Sequence, residues 1–128
     1  MPTKPTVLVV DDDADWALFA ELALTLEGFD VVSVRSGREA LSRAAEAEPD
    51  VVVLDLVLAD LDGWDVLRRL CGDGPVPHIP VVVVSAEVED DAGRRVAECG
   101  GCAYLAKPCR ADTLARVVRS LSTAPPRP

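Results

Sequence analysis

Three runs in this chain, Val7-Leu-Val-Val10, Val51-Val-Val-Leu54 and Val81-Val-Val-Val84, contain no polar side chain. A strand turns successive side chains to opposite faces, so a run that is apolar at every position needs cover on both. A sheet held between two layers of helices supplies that cover. Two milder runs, Val31-Val-Ser-Val34 and Ala103-Tyr-Leu-Ala106, bring the strands to five, and a helix-like segment follows each. The spacing predicts strands at 6–10, 30–34, 51–55, 80–85 and 103–106, and helices at 14–27, 37–47, 63–71, 88–99 and 111–122. Strict alternation of this kind predicts an α/β fold with a parallel sheet. The fully apolar strands belong in its centre and the milder two at its edges. Right-handed crossovers then give the order 2-1-3-4-5, a doubly wound, flavodoxin-like sheet with five helices.

Local signals place several boundaries. Leu18, Leu22 and Leu26, with Phe19 and Ala23 beside them, form a stripe expected to pack the first helix on the sheet, and Gly28 supplies a left-handed stop. Ser36-Gly-Arg-Glu39 is a capping box opening the second helix. Asp13 and Asp62 are placed to cap the first and third helices, and Asp60 is expected to be structural. Gly63 reads as a position of unusual dihedrals or close backbone approach. The fourth helix is thinly apolar, chiefly Val88, Ala92 and Val96, which suits an adjustable surface. One domain is expected over 1–122, followed by a Pro-rich tail or linker start, Thr123-Ala-Pro-Pro-Arg-Pro128, that suits either a free-standing domain or one continuing into an output domain.

At 128 residues and 49% hydrophobic, the chain is large enough to bury one core unaided. It has no run near the roughly 18 apolar residues of a membrane span, and Met1 to Thr6 has no signal-peptide character, so no membrane association and a cytoplasmic location are expected. A net charge of −9 argues against direct nucleic-acid binding, which needs a clustered basic face. Cys99-Gly-Gly-Cys102 has metal-ligand spacing, but no second pair or histidine completes it. His78, between Pro77 and Pro80, reads as a loop residue, and no function is read for the loop that Pro75 and Pro77 flank.

Two of the apolar strands end in acids: Asp11, Asp12 and Asp13 follow the first, and Asp55 follows the third. In the order 2-1-3-4-5 these strands are neighbours, and the chain winds away from them in opposite directions, so the acids face the topological switch point where such folds bind ligands. Carboxylates gathered there repel one another unless a cation joins them. A hard ion with oxygen ligands, magnesium (Mg2+), fits best. Ser85 ends the fourth strand and Lys107 the fifth, bringing a hydroxyl and an ammonium to the same edge. That set forms an electrostatic clamp for a phosphoryl group, with one of the aspartates available as nucleophile.

Together, Val7-Leu-Val-Val-Asp-Asp-Asp13, Asp55 followed by Leu61-Asp-Gly63, Ser85-Ala-Glu87 and Tyr104-Leu-Ala-Lys-Pro108 resemble the receiver domains of two-component response regulators, over residues 5 to 122. The resemblance implies that Asp55 is the phospho-acceptor and that Asp11, Asp12, Asp55 and the backbone carbonyl of Val57 hold Mg2+. It implies that Ser85 bonds a phosphoryl oxygen and that Lys107 pairs with the phosphoryl group or the acceptor. Ser85 and Tyr104 would switch together, reshaping the surface of helix four, strand five and helix five. Val57 and Glu87 would tune the phosphoryl lifetime, and the Lys107–Pro108 peptide would be cis.

The implied partners are a sensor histidine kinase or histidine phosphotransfer protein, and a downstream effector or fused output domain. The chain would act as a monomer or a phosphorylation-dependent dimer, with self-phosphorylation and self-dephosphorylation as its only chemistry. Trp16 and Trp64, each near acids in sequence, are expected to report metal binding by fluorescence. Ala59, Cys109 and Arg110 depart from the family pattern, without removing a phosphorylation group. Asp11-x-Asp13 also mimics the motif of haloacid-dehalogenase-like phosphatases, but the chain looks short for that fold and Asp55 would be idle. An EF-hand reading fails, with Trp16 at the required glycine and Leu22 at the required glutamate. The intact set of five site residues also speaks against a pseudo-receiver that only binds protein.

Overall fold

The computed structural model describes residues 4–73, 79–86 and 91–122, so His78, Pro75, Pro77, Glu87, Val88 and the Pro-rich tail lie outside the described residues. Five parallel strands, β1 (Thr6–Val10), β2 (Asp30–Val34), β3 (Val51–Leu54), β4 (Val81–Ser85) and β5 (Ala103–Ala106), lie in the order β2-β1-β3-β4-β5. The helices are α1 (Ala14–Leu26), α2 (Gly37–Ala47), α3 (Gly63–Arg68), α4 (Ala92–Glu98) and α5 (Ala111–Ser122). As the all-apolar runs require, β1, β3 and β4 are central and bury both faces. Val7, Val53 and Val84 pack toward Ala20, Leu24 and Leu114 of α1 and α5. Leu8, Val52 and Val83 pack on the opposite layer, with Ala40, Leu67 and Val96 of α2, α3 and α4.

The expected helix bounds need one correction. α3 is regular only to Arg68 and then unwinds through Arg69–Asp73, where Gly72 takes φ 117°. The fourth helix is described over Ala92–Glu98, with Ala92 and Val96 its buried residues, and 88–90 of the expected span lie outside the described residues.

The leucine stripe of α1 does not face the sheet. Leu18 and Leu22 are each 55% exposed and Leu26 86%, whereas Ala17, Ala20, Ala23 and Leu24 are buried. The helix is apolar around most of its circumference, so periodicity does not single out one face. The alanines win because small side chains let α1 sit close to the sheet and to α5. Its end matches expectation: Gly28, at φ 95°, donates to Thr25 O and Phe29 N–H donates to Leu24 O, the paired bonds of a Schellman turn.

Aspartates cap α1 and α3. Asp13 Oδ1 accepts the Asp15 and Trp16 N–H groups at 3.0 and 3.4 Å, and Asp62 Oδ1 accepts that of Trp64 at 2.9 Å. α2 has two caps. Ser36 Oγ accepts the Glu39 N–H at 3.1 Å, and its hydroxyl donates to the Glu39 carboxylate at 3.3 Å. Asp60, far along the chain, takes the Gly37 and Arg38 N–H groups at 2.8 and 3.0 Å.

These two amide bonds, Gly37 first, hold the Asp60 carboxyl below its ordinary pKa of 3.8. Its contribution to stability is therefore complete above that ordinary value and is lost as pH falls through the depressed one. Asp60→Ala should lower the denaturation midpoint near neutral pH, by a margin that narrows below about pH 4. A margin independent of pH in urea titrations would remove the carboxylate from the cap.

Candidate functional site

Strand register sets the site before any side chain is considered. Val10 pairs with Leu54, so Asp11 and Asp55 leave neighbouring strands at the same height. Ser85 pairs with Ala106, placing Lys107 one residue beyond it. The Asp55 N–H donates to Val10 O at 3.0 Å and the Lys107 N–H to Ser85 O at 3.0 Å, carrying the register past the last paired residues. The Lys107–Pro108 peptide is cis.

Lys107 brings the two strand ends together. Its Nζ lies 2.6 Å from Asp11 Oδ2 and 2.8 Å from Asp55 Oδ2, and the lysine side chain is only 13% exposed. Asp55 Oδ1 accepts the Ser85 hydroxyl and the Val57 N–H, each at 3.0 Å. Asp11 Oδ1 accepts the Asp13 N–H at 2.8 Å. Every oxygen of the two buried carboxylates thus has a donor, which is what makes their burial tolerable.

Charge is not fully balanced. Burial raises the Asp11 pKa; the hydrogen bond from Lys107 and the Asp13 amide pull it back in part, and neighbouring Asp55 adds to the rise. For Lys107 burial alone favours the neutral amine, but the hydrogen bonds to Asp11 and Asp55 outweigh it and hold the ammonium above its ordinary pKa. Two carboxylates against one ammonium leave the pocket a net acceptor of positive charge.

Of the expected metal residues, Asp11 and Asp55 meet, while Asp12 is exposed at the rim. Among the described residues no three acidic, histidine or cysteine side chains form a metal cluster. The ammonium between Asp11 and Asp55 performs there the neutralisation a cation would. The donors are nonetheless all oxygen and carry an excess of negative charge, which suits a hard divalent ion. Cys99 and Cys102 form no such cluster among the described residues. Burial against the α5 side of the core pushes the Cys109 thiol up.

Tyr104 is half-buried against the α3–α4 side of the core, and Val57 is 58% exposed. Arg110, where a cap is expected, supplies its carbonyl to the Leu114 N–H at 3.0 Å and its guanidinium to Asp112. Trp64 is not at the site: it is buried, with the Arg95 guanidinium 3.9 Å from its ring centroid. Trp16 is at the site, with its ring centroid 4.7 Å from Lys107 Nζ. Sequence reasoning placed Trp16 near acids but did not connect it with Lys107, 91 positions away in numbering and on another element.

The family model described as the response regulator receiver domain matches residues 7–119. The chain belongs to the response regulator receiver domain family. It is 33% identical over 119 residues to the polar-differentiation response regulator DivK of Brucella ovis, covering 92% of this chain and 95% of that protein. It is 42% identical over 119 residues to the transcriptional regulatory protein PrrA of Mycobacterium bovis, covering 90% of this chain but 49% of that one. Among solved structures, the receiver domain of a Francisella response regulator superposes with a TM-score of 0.85 at 31% identity, covering 93% of this chain and 97% of that one. A receiver domain is the phospho-accepting signalling switch of two-component systems, and the strand order found here is that of its fold. Among the described residues no helix is long and apolar enough to cross a membrane.

Proposed function

We propose that this receiver domain takes a phosphoryl group from a histidine kinase or histidine phosphotransfer protein onto Asp55, with Mg2+ bound by Asp11, Asp12, Asp55 and the Val57 carbonyl. The observation that carries this reading is the shared ammonium: Lys107 spans Asp11 and Asp55 at 2.6 and 2.8 Å while Ser85 and Val57 hold the other Asp55 oxygen. An Asp55 oxygen attacks phosphorus, the bond from phosphorus to the histidine nitrogen breaks, and the imidazole leaves with its electron pair. Water later attacks the same phosphorus and releases inorganic phosphate, restoring the carboxylate. When bound, Mg2+ supplies charge neutralisation for the transferring oxygens.

The chain's own groups do the rest. The phosphoryl group brings about −1.5 to −2 charges to a crevice already in excess of anions, and Lys107 must meet much of that. The Ser85 hydroxyl, buried and turned to Asp55, is placed to follow a phosphoryl oxygen, and half-buried Tyr104 can then settle further against the core. That movement would present a changed α4, β5 and α5 surface to an effector or fused output domain. This reading places the domain in the cytoplasm, with no turnover chemistry beyond its own phosphorylation and dephosphorylation.

α1 begins three residues after Asp11, and its exposed Leu18 and Leu22 give a helical partner an apolar seat. Wild-type protein should take a hydroxylamine-labile label from acetyl phosphate in magnesium and none in EDTA. Leu18→Glu with Leu22→Glu should leave that labelling intact and cut transfer from the phosphorylated cognate kinase by about tenfold or more. Equal loss from both donors would locate the defect in the site and not in docking.

A further inference from the structure

Granted the assignment of Asp55 and Lys107 above, we infer that Trp16 is a positioning residue for phosphoryl transfer, its indole face holding the Lys107 ammonium over the two carboxylates. The Lys107 ammonium has three N–H donors, of which Asp11 and Asp55 take two at 2.6 and 2.8 Å. The Trp16 ring lies 4.7 Å from the same nitrogen, within the range where an aromatic face attracts a cation, and tryptophan offers the strongest such face.

The ring is itself anchored. Its backbone N–H bonds to the Asp13 cap at 3.4 Å, its body packs against the α1–α5 side of the core, and Phe19 stands 6.1 Å away at 52°. Asp13 and Phe19 thus brace Trp16 at the start of α1. A lysine stem has four rotatable bonds and reaches the site from β5, across the sheet edge from α1. An ammonium without the ring could follow either carboxylate outward, whereas the stacked one stays between them, where a phosphoryl oxygen will arrive. No residue other than Trp16 among the aromatic contacts of the described residues faces Lys107.

The test compares Trp16→Phe with Trp16→Leu, both apolar and both able to pack on α1, by initial rate of Asp55 labelling with acetyl phosphate in magnesium. Trp16→Phe should stay within about twofold of wild type, and Trp16→Leu should fall about fivefold. Thermal melts identify any variant that has lost its fold. Rates that change equally in the two variants, or in neither, would overturn the inference and leave Trp16 a packing residue.

A second measurement needs no variant. The chain has two lysines, Lys4 and Lys107, so the side-chain ε-methylene resonances of Lys107 can be assigned simply. Under the Trp16 face they should be shifted upfield of those of Lys4 by the ring current, and coincident shifts would refute the stack. Absence of wild-type labelling would instead undo the assignment of Asp55, and the resonance shift would still report whether the stack exists.

Discussion

Asp55→Asn should take no label from acetyl phosphate in magnesium while folding as well as the wild type. Its amide is not a nucleophile at phosphorus, so the expected loss is complete and not graded. The fold should survive because the new Oδ1 can still accept the Ser85 hydroxyl and the Val57 N–H, both now at 3.0 Å. Lys107 also keeps its 2.6 Å contact with Asp11, and one of two mutually repelling buried charges is gone. The new Nδ2 faces the Lys107 ammonium, donor to donor, which offsets that relief, so the denaturation midpoint should stay near the wild-type value, separating loss of chemistry from loss of structure. Undiminished, acid-stable label on the variant would sink the assignment. Label mapped to Asp11 would revive the phosphatase-like reading of Asp11-x-Asp13.

What was legible in the chain was whatever depended on strand identity. Runs apolar at every position fixed β1, β3 and β4 as central, the milder ones took the edges, and parallel register then brought Asp11, Asp55, Ser85 and Lys107 to one place. Once the order is known, a residue immediately after a strand has little choice of position. The face of α1 was not legible, because nearly every side of that helix is apolar and the choice between leucines and alanines was made by how closely α5 and the sheet approach. Asp60 as a second cap for α2 was equally hidden: the bond joins residues 23 apart, and no local pattern announces it. The same holds for Trp16 over Lys107. In each case the missing information is the distance between elements, not the tendency of any one of them.

Gly63 shows how tightly the loop after Asp55 is built, and Gly63→Ala should be the most destabilising single-methyl change in the described chain. A Cβ there would stand 2.1 Å from the Leu56 carbonyl oxygen, 2.4 Å from its Cα and 2.5 Å from its carbonyl carbon. All three are backbone atoms, so no side-chain rotation can relieve the clash. Either α3, whose first residue is Gly63, or the segment that follows β3 must move. Overpacking of this kind costs about 1–3 kcal/mol where side chains can adjust, and a backbone obstacle puts the expected cost at or above about 3 kcal/mol.

Gly93, also helical, has nothing within 4 Å of its added Cβ, so Gly93→Ala should be neutral or stabilising by up to about 1 kcal/mol. Urea denaturation of the pair measures the contrast directly. Leu56 adjoins Asp55, and Val57 just beyond it donates to Asp55 Oδ1, so any displacement taken up by the segment after β3 reaches the residues that orient Asp55. Labelling from acetyl phosphate should therefore fall in Gly63→Ala even at temperatures where the variant remains folded, and stay unchanged in Gly93→Ala. A Gly63→Ala protein of wild-type stability would mean that Leu56 can yield at no cost, and the loop after Asp55 would have to be regarded as soft.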